Sequence, residues 1–209
     1  MVPSNSANRY LNNVMTLTGQ GAVTATPDLA VIRLGVQTTG YNLSRIQSDN
    51  AQVNQNIIQA LNQAGYTDIR TAQYTIDKAF DYQDGNQVDK GYTVRNVLEI
   101  KTNNVSQVGA IIDTSVEMGA NIVESISFEL SNPQLYYQRA LNLAINDAIQ
   151  KAKSIADNLH IKLFSIPTHI VENSASPAPV QEFQRQVATT ILPGELTVEA
   201  FITADFLYS

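Results

Sequence analysis

The chain contains no cysteine and only two histidines. Without cysteine there are no disulfides, no thiol nucleophile and no thiolate metal site. His160 and His169 have no further ligand at helical or hairpin spacing, so zinc chemistry has no framework. A histidine-based triad also lacks its nucleophile, because no G-x-S-x-G elbow stands before a helix. Charged residues make up 15% of the 209 positions, with thirteen basic against nineteen acidic and a net charge of −6. The basic residues are scattered. The short Lys151, Lys153, Lys162 group reads as a solvated helix end, so a nucleic-acid partner is excluded for want of clustered cations. No apolar run reaches the length of a membrane span.

What is present is a regular alternation of patterns in a chain that is 44% hydrophobic, enough for a sizeable core. The polar start, Met1 to Asn8, reads as a mature N-terminus, and residues 1–13 are expected to be a tail. A native signal peptide is expected to lie outside this sequence. Val14 to Thr18 and Ala22 to Thr26 read as strand, broken by a bulge or bend at Gly19-Gln20-Gly21. These glycines fail the dinucleotide fingerprint, since Thr24 replaces its third glycine and no helix follows. Ile32, Leu34 and Val36 alternate with Arg33, Gly35 and Gln37 as a half-buried strand. Asn42 then caps a helix with Leu43, Ile46, Val53, Ile57, Leu61 and Ala64 on one face, stopped by Gly65. Asn50 shares that face and needs a partner if buried.

Ile69 to Phe80 and Tyr92 to Lys101 form a hairpin around Asp84-Gly85-Asn86. A short helix over Val105 to Met118 ends at Gly119, and a strand follows from Ile122 to Leu130. Asn132 and Pro133 open a long helix to Leu159. Leu141, Ile145, Ala148, Ala152, Ile155 and Leu159 make its apolar stripe. Ala140, Ala144, Ala148, Ala152 and Ala156 make an inclined row that admits close approach. Ile161 to Glu172 reads as strand, with a kink at Pro167. Residues 173–193 form a proline-containing loop or arm. The last strand sets Leu196, Val198, Ala200, Ile202, Ala204 and Phe206 on one face. The order β-β-α-β-β-α-β-α-β-β predicts an α+β fold. It would be a single domain over 14–209, with two long helices and one short one on a largely antiparallel sheet.

Thr18-Gly-Gln-Gly-Ala-Val-Thr-Ala-Thr-Pro-Asp-Leu-Ala30 and Gly91-Tyr-Thr-Val-Arg-Asn-Val-Leu-Glu-Ile100 carry a resemblance to the SIMPL-domain family. So do Tyr137-x-x-Ala140-Leu141, Asp147-Ala148-x-x-Lys151-Ala152, Ile155-Ala156 and Pro193-Gly194-Glu195-Leu196-x-Val198. Together they span Val14 to Leu207. The family includes bacterial periplasmic immunogenic and oxidative-stress-defence proteins. The resemblance implies an exported protein without an established catalytic set, and in some members assembly into large oligomers. His160 departs from it, standing where glycine is expected after the long helix.

The residues agree on the missing chemistry. Asp77, Asp81, Asp84 and Asp89 crowd one hairpin, but their spacing is not that of an EF-hand and no bidentate glutamate closes the loop. No cofactor and no metal is expected. The function expected is a non-enzymatic exported binding or assembly module, with a link to envelope or oxidative stress that rests on the resemblance. The partner would be a second copy of the chain or an unidentified protein. Tyr136 and Leu143, opposite the apolar stripe, and Phe183 and Val187 in the arm are the candidate interface. Two alternatives stand beside this reading. One is a hydrolase using carboxylates of the Asp77–Asp89 hairpin. The other is a small-ligand carrier with an apolar pocket under the long helix.

Overall fold

The computed structural model describes residues 13–83, 86–173, 180–181 and 193–209. Its elements are β1 (Asn13–Ala25), β2 (Leu29–Gly40), α1 (Leu43–Gln63), β3 (Ile69–Gln83) and β4 (Asn86–Thr102). A 3-10 turn at Val105–Gln107 leads into α2 (Val108–Glu117). Then come β5 (Ile122–Glu129), α3 (Pro133–Leu159), β6 (His169–Glu172), β7 (Val180–Gln181) and β8 (Leu196–Tyr208). The fold is α+β, as expected. The strands form two four-stranded antiparallel sheets rather than one, and the chain divides into two compact units. Most of the 1–13 tail and of the 173–193 arm lies outside the described residues, and so do Phe183 and Val187.

The first unit holds β1, α3, β6, β7 and β8. Its sheet runs β1-β8-β6, with β7 also pairing to β8. All six alternating residues from Leu196 to Phe206 are buried, and α3 covers that face. β1 is unbroken, because Gly19 and Gly21 pair in register with Ile202 and Ala200. They are points of close approach, not of bending. A Cβ on Gly19 would lie 2.0 Å from the Ala144 carbonyl oxygen, and one on Gly21 would lie 2.1 Å from that of Ala140. The alanine row therefore beds backbone on backbone. Ala140, Ala144, Ala148, Ala152 and Ala156 are all buried, whereas Leu159 of the apolar stripe is 63% exposed. This contact leaves no room for a carrier pocket between α3 and β1.

β6 is shorter than the pattern suggests. Residues before it bond to the end of β8 through Lys162, Phe164 and Thr168 N–H groups, and the run is interrupted around Pro167, which has no N–H to give.

The second unit holds β2 to β5 with α1 and α2. Its sheet runs β3-β4-β2-β5. One face carries Ala30, Ile32, Leu34, Val36, Leu98 and Ile100 against Ile57 and Leu61 of α1 and Val108 and Ile111 of α2. Asn42 caps α1 by accepting from the Arg45 N–H at 3.1 Å, and Gly65 and Gly119 end the two helices at positive φ. The buried Asn50 Nδ2 donates to the Val36 and Val94 carbonyls at 3.1 and 3.2 Å, while its Oδ1 has no partner among the described residues.

Candidate functional site

The alternation that buries Ile32 and Leu34 sends Arg33 to the opposite face of the second unit's sheet. Register does the rest. Arg70 on β3, Glu99 on β4, Arg33 on β2 and Ser125 on β5 fall in one row across four strands. Glu99 is 2% exposed. Its Oε2 accepts from Arg33 Nε and Nη2 at 3.0 and 2.9 Å. Its Oε1 accepts from Arg70 Nε at 2.9 Å and also from Arg70 Nη2. Burial pushes the Glu99 carboxyl up. The hydrogen bonds from the two guanidinium groups, with their charge, outweigh it and hold the carboxyl below its ordinary value.

The next row adds Lys101, Val31 and Ser127. Lys101 Nζ is 3.9 Å from Glu99 Oε1, too far for a hydrogen bond. Together these residues and Glu129 line an open basin of about 380 Å³. Three cations face two carboxylates there, a surplus of one positive charge in a chain of net charge −6. Sequence reading placed Arg33 on the outer face but did not find the basin. The one available signal is the acid inside the apolar run Val97-Leu98-Glu99-Ile100.

A second surface follows β3. Tyr74, Ile76, Phe80 and Tyr82 alternate along one side of this edge strand, and all four are exposed. Tyr74 Oη accepts from Gln47 Nε2 at 3.1 Å. The hairpin acids are tied to its lysines: Asp89 Oδ2 accepts from Lys78 Nζ at 3.3 Å, and Asp81 Oδ2 is 3.8 Å from Lys90 Nζ. The Gly91 N–H, and then Lys78, hold the Asp89 carboxyl low. Asp84 lies outside the described residues. No group of three or more His, Cys, Asp or Glu among the described residues is placed to hold a metal ion.

The edge of β1, and β2 where β5 does not reach it, are treated differently. Asp147 and Lys151, one turn apart on α3, reach the outer edge of β1. Asp147 Oδ2 accepts the Gln20 N–H at 2.9 Å, and Lys151 Nζ donates to the Thr18 carbonyl at 3.0 Å and to Asp147 at 2.6 Å. Beyond the end of β5, the Asn121 side chain accepts the Gln37 N–H and donates to the Gln37 carbonyl, at 2.8 and 2.9 Å. On β3 the side-chain bond to strand backbone among the described residues is local, Tyr82 N–H to Asp81.

Of the four candidate interface residues, two are described. Tyr136 is half-buried with the Arg139 guanidinium 5.7 Å from its ring centre, and Leu143 is 47% exposed. The true buried row is rotated from the expected stripe, so both flank it instead of lying opposite. The Leu143 Cβ comes within 2.7 Å of where a Gly21 Cβ would be. His169, on a strand as expected, has Asp205 of β8 as its register neighbour, with Nδ1 3.6 Å from Oδ2.

Comparison with known proteins bears on the whole chain. Uncharacterized protein YggE of Escherichia coli K12 is 26% identical over 192 residues, covering 90% of this chain and 77% of that protein. The 26 kDa periplasmic immunogenic protein of Brucella melitensis is 28% identical over 184 residues, covering 85% and 73%. These names carry no enzymatic activity. Among the described residues no helix is long and apolar enough to cross a membrane. The SIMPL profile, described as a protein of unknown function (DUF541), matches residues 15–206, and the chain belongs to that family.

Proposed function

We propose that this chain is an exported, non-catalytic assembly module, and that its copies join through the outer edge of β3. The observation that carries this reading is the contrast between edges. The Gln20 N–H and Thr18 carbonyl of β1 and both backbone groups of Gln37 on β2 are taken up by Asp147, Lys151 and Asn121, while β3 offers fifteen residues of edge with an exposed aromatic and aliphatic stripe. An edge of that length, which no other described element covers, is a template for strand addition. The hairpin's Lys78–Asp89 and Lys90–Asp81 pairs neutralise two of its four acids, Asp77 and Asp84 being the others. A partner is selected by apolar contact and backbone pairing. A second copy offers both, related by a two-fold axis. The periplasmic name of the Brucella relative supports an extracytoplasmic location. Tyr136 and Leu143 form a second, separate candidate surface, and the 14–209 segment acts as one functional domain.

Light scattering at micromolar concentration tests the reading. The parent chain is expected to be a homo-oligomer, and Phe80→Asp with Tyr82→Lys to dissociate it without changing its circular dichroism. A monomeric parent refutes assembly. An oligomer that survives these changes but yields to Tyr136→Glu with Leu143→Lys moves the interface to α3.

A further inference from the structure

The basin on the second unit's sheet has a construction that a purely structural ion pair does not need. Glu99 binds the Nε and Nη2 groups of Arg33 and Arg70, which fixes both guanidinium planes and leaves each Nη1 group without a hydrogen bond among the described residues. Lys101 Nζ is likewise without a hydrogen bond there, 32% exposed and held at the rim. Ser125, in the same row as Arg33, adds a hydroxyl from β5. Ser127 donates to Glu129 at 3.1 Å, which sets a carboxylate at the far side.

We propose that this basin binds a small hydrophilic molecule through an oxyanion, carboxylate or phosphate. The anionic group would sit among Lys101 Nζ, the free guanidinium N–H groups of Arg33 and Arg70 and the Ser125 hydroxyl. Guanidinium groups already held in place lose little freedom on binding such a group, and charge-assisted hydrogen bonds are the strong ones. The basin's volume, about 380 Å³, suits a ligand of metabolite size. Its lining has one apolar side chain, Val31, so an apolar ligand gains nothing there. Glu129 favours a ligand that also carries a hydroxyl or amine donor. The inference is independent of assembly, because the row Arg70–Glu99–Arg33–Ser125 needs no second copy.

Equilibrium dialysis of the full chain against radiolabelled orthophosphate, and separately against radiolabelled succinate, tests it at ionic strength matched with sodium chloride. One equivalent per chain, saturating at millimolar concentration or below, is expected for at least one of the two. Saturation by phosphate alone assigns a phosphoryl ligand, and by succinate alone a carboxylate. Ser125→Asp sets a competing carboxylate beside Arg33 and should abolish binding. Lys101→Met should weaken it about tenfold, the equivalent of one charge-assisted hydrogen bond. Both variants change partly exposed positions, and their melting curves check that the fold is kept. Uptake that does not saturate for either anion, or that folded Ser125→Asp retains in full, overturns the proposal.

Discussion

Replacing Gly19 by alanine adds one methyl group, and the structure says where it must go. It would meet the Ala144 carbonyl oxygen at 2.0 Å, the Ala144 carbonyl carbon at 3.0 Å and the Ala148 Cβ at 3.0 Å, while ordinary contact begins at 3.4 Å. Two of these atoms are backbone, so no rotamer change relieves the clash. α3 has to withdraw from β1 by about 1.4 Å, the difference between the first contact and an ordinary one. A gap of half to one ångström already forfeits a quarter to a half of each dispersion contact. The loss should therefore reach or exceed the upper end of the usual 1–3 kcal/mol for overpacking. In a chain of this size each kcal/mol is about 2–4 °C, so the melting temperature should fall by roughly 6–12 °C. Gly21→Ala should behave alike, given its 2.1 Å contact with the Ala140 oxygen. The control is Gly109→Ala in α2, where nothing lies within 4 Å of the added Cβ. That change should stabilise by about 0.5–1 kcal/mol through helix propensity. Thermal melting by circular dichroism reads all three. Alanine also ordinarily improves on glycine in a strand, so the sign alone discriminates. If Gly19→Ala melts at or above the parent, α3 does not lie on β1 at this distance.

Ala148→Leu and Ala152→Leu should each cost about 1–3 kcal/mol by the same melting assay, and two variants that melt like the parent would put the row in solvent. His160 ends α3 in the left-handed region at φ 51° and ψ 41°, the lone non-glycine residue at positive φ among those described. His160→Gly should therefore raise stability by about 0.5–1 kcal/mol, read as a higher urea midpoint. The depressed Glu99 carboxyl contributes stability that is fully present above its ordinary value of 4.5 and is lost as pH falls through the lower folded value. Between about pH 6 and about pH 3 the urea midpoint of the parent should fall more steeply than that of Glu99→Gln; equal slopes would show that Glu99 is not held by its arginines.

Local signals carried much of the fold. Asn132 and Pro133 mark the start of α3, with the Asn132 side chain accepting the Leu135 N–H at 3.3 Å. Strict alternation fixes the buried face of β8. These depend on neighbours within a few residues. The Gly19 and Gly21 pair does not, because its reason is a helix more than a hundred positions away. Alanine periodicity showed that something approaches α3, but not that the partner is glycine. Nor could it show that alanine, not leucine, marks the most buried row. The pair Asp147 and Lys151 is visible in the sequence as a helical i, i+4 spacing, while its bonds to Thr18 and Gln20 depend on how α3 lies on β1. The basin was least legible. Its residues come from four strands, and only register brings Arg70, Glu99, Arg33 and Ser125 into one row. Two register shifts, between Thr71 and Gln73 and between Arg33 and Leu34, lie beside that row, and sequence alternation cannot anticipate them.

The bed of alanine and glycine between α3 and β1 also has an entropic meaning. Alanine and glycine have no side-chain rotamers to lose, so at these positions bringing the surfaces together orders backbone alone. α3 is about 40 Å long at 27 residues and β1 about 43 Å at 13, so the two match end to end. Where Gly19 and Gly21 meet Ala140, Ala144 and Ala148, neither of these β1 and α3 positions has a rotamer with which to re-pack after a disturbance. Such a contact has no intermediate setting: it is seated or it is apart. Amide protons of Ala144 to Ala156 should thus exchange together, through one concerted opening, and not in the graded order that a leucine-packed helix shows from its ends inward.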